Sequence, residues 1–163
     1  NKGMALFPRR IGGKFAMLSR HDGESLYFLT SDSVRSWNEA KELRVPSHPW
    51  EIVQIGNCGS PIETEAGWLV LIHGVGAMRR YAVGALLLDL DDPQRIIGQL
   101  AEPLLVPTAD EREGYVPNVV YTCGGMVHEG LLILPYGFSD VGVAIATTPL
   151  DELVSRLLDG STA

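Results

Sequence analysis

Cysteine is scarce in this chain: Cys58 and Cys123 are the only two in 163 residues. Two thiols exclude a disulfide-stapled scaffold. They also argue against zinc, because Cys58, Cys123, His73 and His128 show none of the short ligand spacings, such as C-x2-C or H-x3-H, that place two ligands on one turn. Long apolar runs are missing as well. No stretch approaches the ~20 residues that cross a bilayer, and "NKGMALFPRR" has neither the apolar segment nor the cleavage site of a secretory leader. The expectation is a cytoplasmic chain without a membrane partner. Positive charge is in deficit, with 13 Lys and Arg against 20 Asp and Glu and a net charge of −7. Scattered cations on an acidic chain exclude nucleic acid as a partner, since a phosphate backbone demands a cationic face. A small anion held by two or three arginines is still compatible. No glycine-rich phosphate loop leads into a helix, and no G-x-S-x-G elbow is present.

What is present is a folded, half-apolar composition, 45% hydrophobic and 20% charged, on a length that suits one domain. "GWLVLIHG" (67–74) and "GLLILPYG" (130–137) place Gly, Leu, Leu and Gly at the same spacings, and "GKFAMLSR" (13–20) follows with Phe15, Met17 and Arg20 in the later places. The signal recurs after 54 and then 63 residues, the range in which repeats mean blades or similar arrays. Period-two alternation makes each copy a half-buried strand. Each is preceded by a Pro- or Gly-bearing segment ("LFPRRI", "CGSPIETE", "VPNVVYTCGGMV") and followed by a second apolar run ("ESLYFLTSD", "RRYAVGALLLDL", "VGVAIATTP"). In the middle copy the turn "DLDDP" leads to one more strand, "RIIGQLAEPLLVP". The prediction is an all-β chain of about three four-stranded antiparallel blades, over 1–45, 46–107 and 108–149, with a short helix at 150–158. A β-sandwich also strings short strands together in this way and is the alternative. Three blades do not close a propeller, so open sheet edges need a second copy or further chain.

In such a fold, polar residues at one end of the inner strands meet across blades. Arg9 and Arg10 follow Pro8, and alternation lets only one face a site. His73 closes a strand just before Gly74. Arg79, Arg80 and Tyr81 follow, offering a planar fork of donors and a phenol suited to phosphate or sugar hydroxyls. "EREGYVPNVVY" supplies Glu111, Glu113, Tyr115, Asn118 and Tyr121, and "YGFSD" supplies Asp140. Hydrolysis by acid and base requires two carboxylates, and Asp140 with Glu111 or Glu113 is the available pair. Cys58 and Cys123 stand at matching places before their repeats, which predicts small buried residues on neighbouring strands.

"NKGMALFPRRIGGKFAMLSR", "GSPIETEAGWLVLIHGV", "RYAVGALLLDLDDPQRIIG", "EREGYVPNVVYTCG" and "LPYGFSDVGVAIATTPLDELV" resemble, in order and over nearly the whole chain, the motifs of glycoside hydrolase family 130, the β-mannoside phosphorylases and related β-mannosidases. The resemblance implies a five-bladed β-propeller with the site in its central furrow. Family members are about twice as long, and the likeness corresponds to their C-terminal half or slightly more. It implies that Arg10, His73 and Tyr81 grip inorganic phosphate, and that Pro117, Asn118, Tyr121 and Asp140 line the sugar subsite. The family's general acid, an Asp, is expected upstream of Asn1, so this chain carries no catalytic acid of its own. No cofactor or metal is implied. Inorganic phosphate is the co-substrate, a β-mannoside or manno-oligosaccharide the substrate, and a second copy or a missing N-terminal half the partner. The activity implied is inverting phosphorolysis; the alternatives are hydrolysis on the same scaffold, or a non-catalytic carbohydrate-binding or oligomerising module. Two positions depart from the family's pattern: Gly3 stands where Asp is usual, and Gln54 where many phosphorylases carry Lys.

Overall fold

The computed structural model describes residues 2–160. It contains three antiparallel sheets and one terminal helix. The first sheet runs β1 (Lys2–Leu6), β2 (Phe15–Arg20), β3 (Leu26–Ser31), β4 (Ala40–Arg44) in spatial order. In the second, β5 (Gln54–Asn57) and β6 (Ile62–Thr64) share one side of β7 (Gly67–Val75), followed by β8 (Tyr81–Leu88) and β9 (Ile96–Gln99). In the third, β10 (Val120–Tyr121) and β11 (Met126–His128) share one side of β12 (Leu131–Phe138), and β13 (Gly142–Pro149) lies on the other.

The all-β class and the C-terminal helix agree with the sequence, and several details do not. Each expected pre-repeat strand is broken or shortened: β1 stops before Pro8, "CGSPIETE" keeps only β6, and "VPNVVYTCGGMV" splits between β10 and β11. Proline, which cannot donate to a ladder, accounts for the breaks at Pro8 and Pro61. Only Ile96–Gln99 of "RIIGQLAEPLLVP" forms a strand, though Val83 N–H still reaches Leu105 C=O at 2.9 Å. In the third sheet β10 and β11 lie on the same side of β12, so among the described residues nothing pairs with the outer side of β13. The "DLDDP" reversal is as expected: Asp89 Oδ1 accepts from the N–H groups of Asp91 and Asp92 at 2.9 and 3.0 Å.

The sheets pack in sequence. Ala16, Leu18, Leu26 and Phe28 of the first meet Trp68, Val70, Ile72, Leu86 and Leu88 of the second in one core. The opposite face of the second sheet, Leu69, Leu71, Val83, Ala85 and Leu87, meets Leu132, Leu134 and Val120 of the third. The strand β7 is therefore buried on both faces along its whole length, not on one. Helix α1 (Leu150–Asp159) closes this second core with Leu153 and Leu157. Its N-cap is Pro149, which offers no side-chain cap.

The repeat is real, but its register is shifted by one. Leu69 and Leu71 point toward the third sheet, whereas Leu132 and Leu134 point back toward the second. The two-residue turns set the alignment: Thr64 pairs with Gly67, and His128 pairs with Leu131. Gly67 therefore corresponds to Leu131, not to Gly130. Because strand side chains alternate, one residue of slip reverses every face.

Gly74 and Gly84 serve packing. A Cβ on either would fall on the indole of Trp50, which lies in the link between the first two sheets and donates its Nε1–H to Ala101 C=O at 2.9 Å. The same link is clasped by Arg44, whose guanidinium meets the Glu51 carboxylate through both oxygens, with Nη1–Oε2 at 2.9 Å, both groups buried.

Candidate active site

His73 lies near the end of β7, opposite Gly56 on β5. The missing side chain at Gly56 lets two groups cross there: a Cβ would stand 2.6 Å from His73 Cε1, 3.1 Å from Nε2 and 3.3 Å from Arg20 Cδ. Arg20 ends β2, and its Nη1 lies 3.2 Å from His73 Nε2. Guanidinium can only donate, so Nε2 is the acceptor and the imidazole proton sits on Nδ1. That nitrogen faces Cys58 Sγ at 3.6 Å. Burial pushes the Cys58 thiol up to about 12, leaving it neutral. His73, only 3% exposed, is lowered to about 4, first by burial and then by the Arg20 charge. The cluster thus carries one permanent cation on a neutral aromatic support.

Two tyrosines complete it. The Tyr81 ring lies nearly parallel to the imidazole, centroids 6.2 Å apart, and the Tyr121 ring is tilted at 5.1 Å. Burial above all raises the Tyr121 phenol. Tyr81 N–H donates to Asn118 C=O at 3.1 Å, and Asn118 is held in the left-handed region at φ 60°. The loop carrying Pro117 and Asn118 is stitched to the β12–β13 turn by Val116 N–H to Ser139 C=O at 3.1 Å and Ser139 N–H to Val119 C=O at 2.9 Å. In that turn Asp140 is left-handed at φ 56° and exposed. His73, Tyr81, Tyr121 and Asn118 are thereby linked through ring contacts and a backbone bond, and Pro117 and Asp140 lie in the two loops whose neighbouring residues are bonded to each other. Tyr81 also helps line a cavity of about 600 Å³ with Trp50, Met78, Arg80 and Glu102.

Arg10 is not brought to this cluster. It sits in the β1–β2 hairpin loop, donating to Gly13 C=O at 2.9 Å, with its guanidinium 3.9 Å from the Phe15 ring centre. Phe15 and Arg20 are the two ends of β2, roughly 16 Å apart at the strand rise. Arg9 shares Arg10's end, paired with Glu63 at 2.6 Å and lying over Trp68. The guanidinium beside His73 belongs to Arg20. Its sequence signal was the departure itself, since Arg20 fills the slot that the other two copies give to Gly74 and Gly137.

The carboxylate pair and the cysteines also need correction. Glu111 is committed structurally: its carboxylate accepts from Tyr136 Oη at 2.7 Å and from Thr108 N and Oγ1 at 2.9 and 3.0 Å. These bonds, Tyr136 first, stabilise the carboxylate and hold its pKa below the usual glutamate range. Glu113 is exposed. Cys58 is buried as expected, but Cys123 is exposed, in the stretch after β10.

Known proteins share this architecture and sequence. A 1,2-beta-oligomannan phosphorylase of Thermoanaerobacter sp. (strain X514) is 36% identical over 155 residues, covering 94% of this chain and 52% of that protein. A beta-1,4-mannooligosaccharide phosphorylase of Ruminococcus albus is 34% identical over 174 residues, covering 99% of this chain and 52% of its own length. The solved structure of a beta-1,2-mannobiose phosphorylase from Listeria innocua, in complex with beta-1,2-mannobiose, superposes with a TM-score of 0.86 at 32% identity, covering 96% of this chain and 46% of that one. This chain therefore spans about half the length of these relatives. The sequence profile of glycoside hydrolase family 130, described as beta-1,4-mannooligosaccharide phosphorylase, matches residues 1–158, and the chain belongs to that family.

Proposed function

We propose that this chain forms the phosphate- and mannose-facing part of an inverting β-mannoside phosphorylase, its three sheets being blades of a five-bladed propeller. The observation that carries the reading is the Arg20 guanidinium fixed on a neutral His73 between two tyrosines. Its relatives are named as phosphorylases of β-1,2- and β-1,4-linked mannosides, which supports the β-mannoside class without selecting a linkage. In this mechanism phosphate binds at Arg20 through charge-assisted hydrogen bonds. His73 acts through Arg20: with Nε2 occupied as acceptor, the imidazole positions the guanidinium and moves no proton. Tyr81 and Tyr121 bound the space in which sugar and phosphate meet, and Pro117, Asn118 and Asp140 form the sugar side. A phosphate oxygen attacks the anomeric carbon from the face opposite the leaving group. The glycosidic C–O bond breaks, and the general acid, supplied from outside the residues described, protonates the leaving oxygen. The products are mannose 1-phosphate of inverted configuration and the shortened acceptor. Phosphate is itself the nucleophile, so no second carboxylate is needed as base, consistent with the structural use of Glu111.

Calorimetry with inorganic phosphate tests the site. Arg20→Ala is expected to weaken phosphate binding about ten- to a hundredfold, the worth of one charge-assisted contact. Arg10→Ala is expected to leave it within about twofold, as for a surface cation remote from the ligand. Equal losses in the two variants, or no phosphate binding by the unmodified chain, would overturn the assignment. Hydrolysis on the same scaffold is the second reading, favoured by the neutral Gln54, two residues from Gly56 on the strand that supports the site. Release of mannose in place of mannose 1-phosphate, with phosphate present, would select it.

A further inference from the structure

The loops at the His73 end of the second sheet enclose more space than the His73 cluster uses. There β7 ends at Val75, β8 begins at Tyr81, and β5 starts at Gln54 opposite Val75, so the segment before β5 and the β7–β8 connection lie at one end of this sheet. The chain after β9 returns to the same end, where the Leu104 and Leu105 N–H groups donate to Val83 C=O at 2.8 and 3.0 Å. Stretches 49–50, 76–82 and 102–107 together wall the cavity of about 600 Å³ beside Tyr81. That volume falls within the range of small-ligand sites, roughly 300–1,000 Å³. Tyr81 belongs to both spaces, its ring lying along the His73 imidazole while the residue lines the cavity.

The lining combines apolar walls with two unused charges. Trp50, Met78, Pro103 and Val106 supply the walls, and Met78 is 90% exposed. Arg80 and Glu102 supply one cation and one anion, and neither side chain has a hydrogen-bond or ion-pair partner among the described residues. The Trp50 wall is fixed by its bond to Ala101 C=O and by its close fit on Gly74 and Gly84. The facing loop is shaped at a cost: Met78 and Arg79 are both left-handed, at φ 58° and 56°, and the loop is pinned by Gly76 N–H to Arg80 C=O at 2.9 Å. Non-glycine residues held in this way concentrate at ligand sites.

Charge selects the class of ligand. An anion would meet Glu102, a cation would meet Arg80, and a purely apolar molecule would strip water from both without replacing it. A neutral ring bearing hydroxyls satisfies every group, since hydroxyls accept from guanidinium and donate to carboxylate, while the ring's C–H face rests on the indole. We propose that this cavity is a second carbohydrate site, taking a sugar unit distal to the bond broken at the His73 cluster, with Arg80 and Glu102 as its hydroxyl-binding pair and Trp50 as its wall. The proposal rests on the β-mannoside part of the reading above and not on phosphate. It assigns the preference between short and long substrates to residues outside the Arg20–His73 cluster.

Calorimetry on the unmodified chain, Glu102→Gln and Arg80→Gln tests it with mannose, β-1,2- and β-1,4-mannotetraose and inorganic phosphate as probes. At least one tetraose is expected to bind about tenfold or more tightly than mannose, and each variant to lose about five- to twentyfold of that tetraose affinity, the effect of removing one charged hydrogen-bond partner. Phosphate and mannose affinities should stay within about twofold, as for groups that do not touch them. Both positions are exposed, so thermal melting should be unchanged. Tetraoses that bind no more tightly than mannose, or equally to all three proteins, would overturn the second site while leaving the phosphate assignment intact. Absence of phosphate binding alongside the expected tetraose losses would instead overturn the phosphorylase reading and support the second site.

Discussion

The hairpins β7–β8 and β12–β13 share a pairing register, yet one is buried on both faces and the outer strand of the other alternates between partly buried and exposed. Their sequences are similarly apolar. What separates them is position: the second sheet has a neighbour on each side, and the third has one among the described residues. Strand composition sets the capacity for burial, and the stacking order decides whether that capacity is used.

Substitution can break the comparison at its strongest point first. Trp68 is fully buried between the first and second sheets, with Phe7 edge-on at 5.0 Å. Trp68→Ala should destabilise by about 3–5 kcal/mol, while Ile145→Ala on the third sheet should stay within about 0.5 kcal/mol; urea midpoints would read both. Comparable losses would mean that the third sheet's face is covered even in the isolated chain.

The second effect is pH-dependent. His73 has a folded pKa of about 4 against an ordinary 6.5, so the unfolded chain takes up its proton first as pH falls. Stability tied to neutral His73 is complete above about 6.5, declines between 6.5 and 4, and amounts to roughly 3 kcal/mol over that window. Unfolding free energies measured between pH 4 and 7 should lose this portion of their slope in His73→Gln.

The smallest contrast is between two strand glycines. Gly74→Ala drives a methyl into the Trp50 indole and should cost about 1–3 kcal/mol. At Gly137 the nearest atom to a new Cβ is Gly142 O at 3.7 Å, an ordinary contact. Gly137→Ala should therefore be neutral or slightly stabilising, by up to about 0.5 kcal/mol. Melting temperatures of the two variants would sharpen the comparison.

Much of this was legible in the sequence. Apolar alternation and Asp- and Pro-bearing turns gave the strands, and the short helix at 150–158 was expected, because those signals are local. His73, Tyr81 and Tyr121 were legible as neighbours only through the resemblance, since 40 residues separate Tyr81 from Tyr121. Arg20 escaped for a physical reason. Its partner His73 lies 53 residues away on another sheet, and nothing in the local pattern of β2 records that crossing. Arg10 attracted attention by standing after a proline, but the hairpin carries it to the far end of β2. The bare face of the third sheet was foreseeable only as an open edge, because no local pattern records which sheet lies alongside.

Gly56 has a consequence for how this protein can change over time. Any amino-acid replacement at a glycine codon introduces a side chain, and the space above position 56 already holds an imidazole and a guanidinium. A side chain at position 56 therefore requires His73 and Arg20 to shift together, so any replacement there is registered first in the guanidinium–imidazole contact.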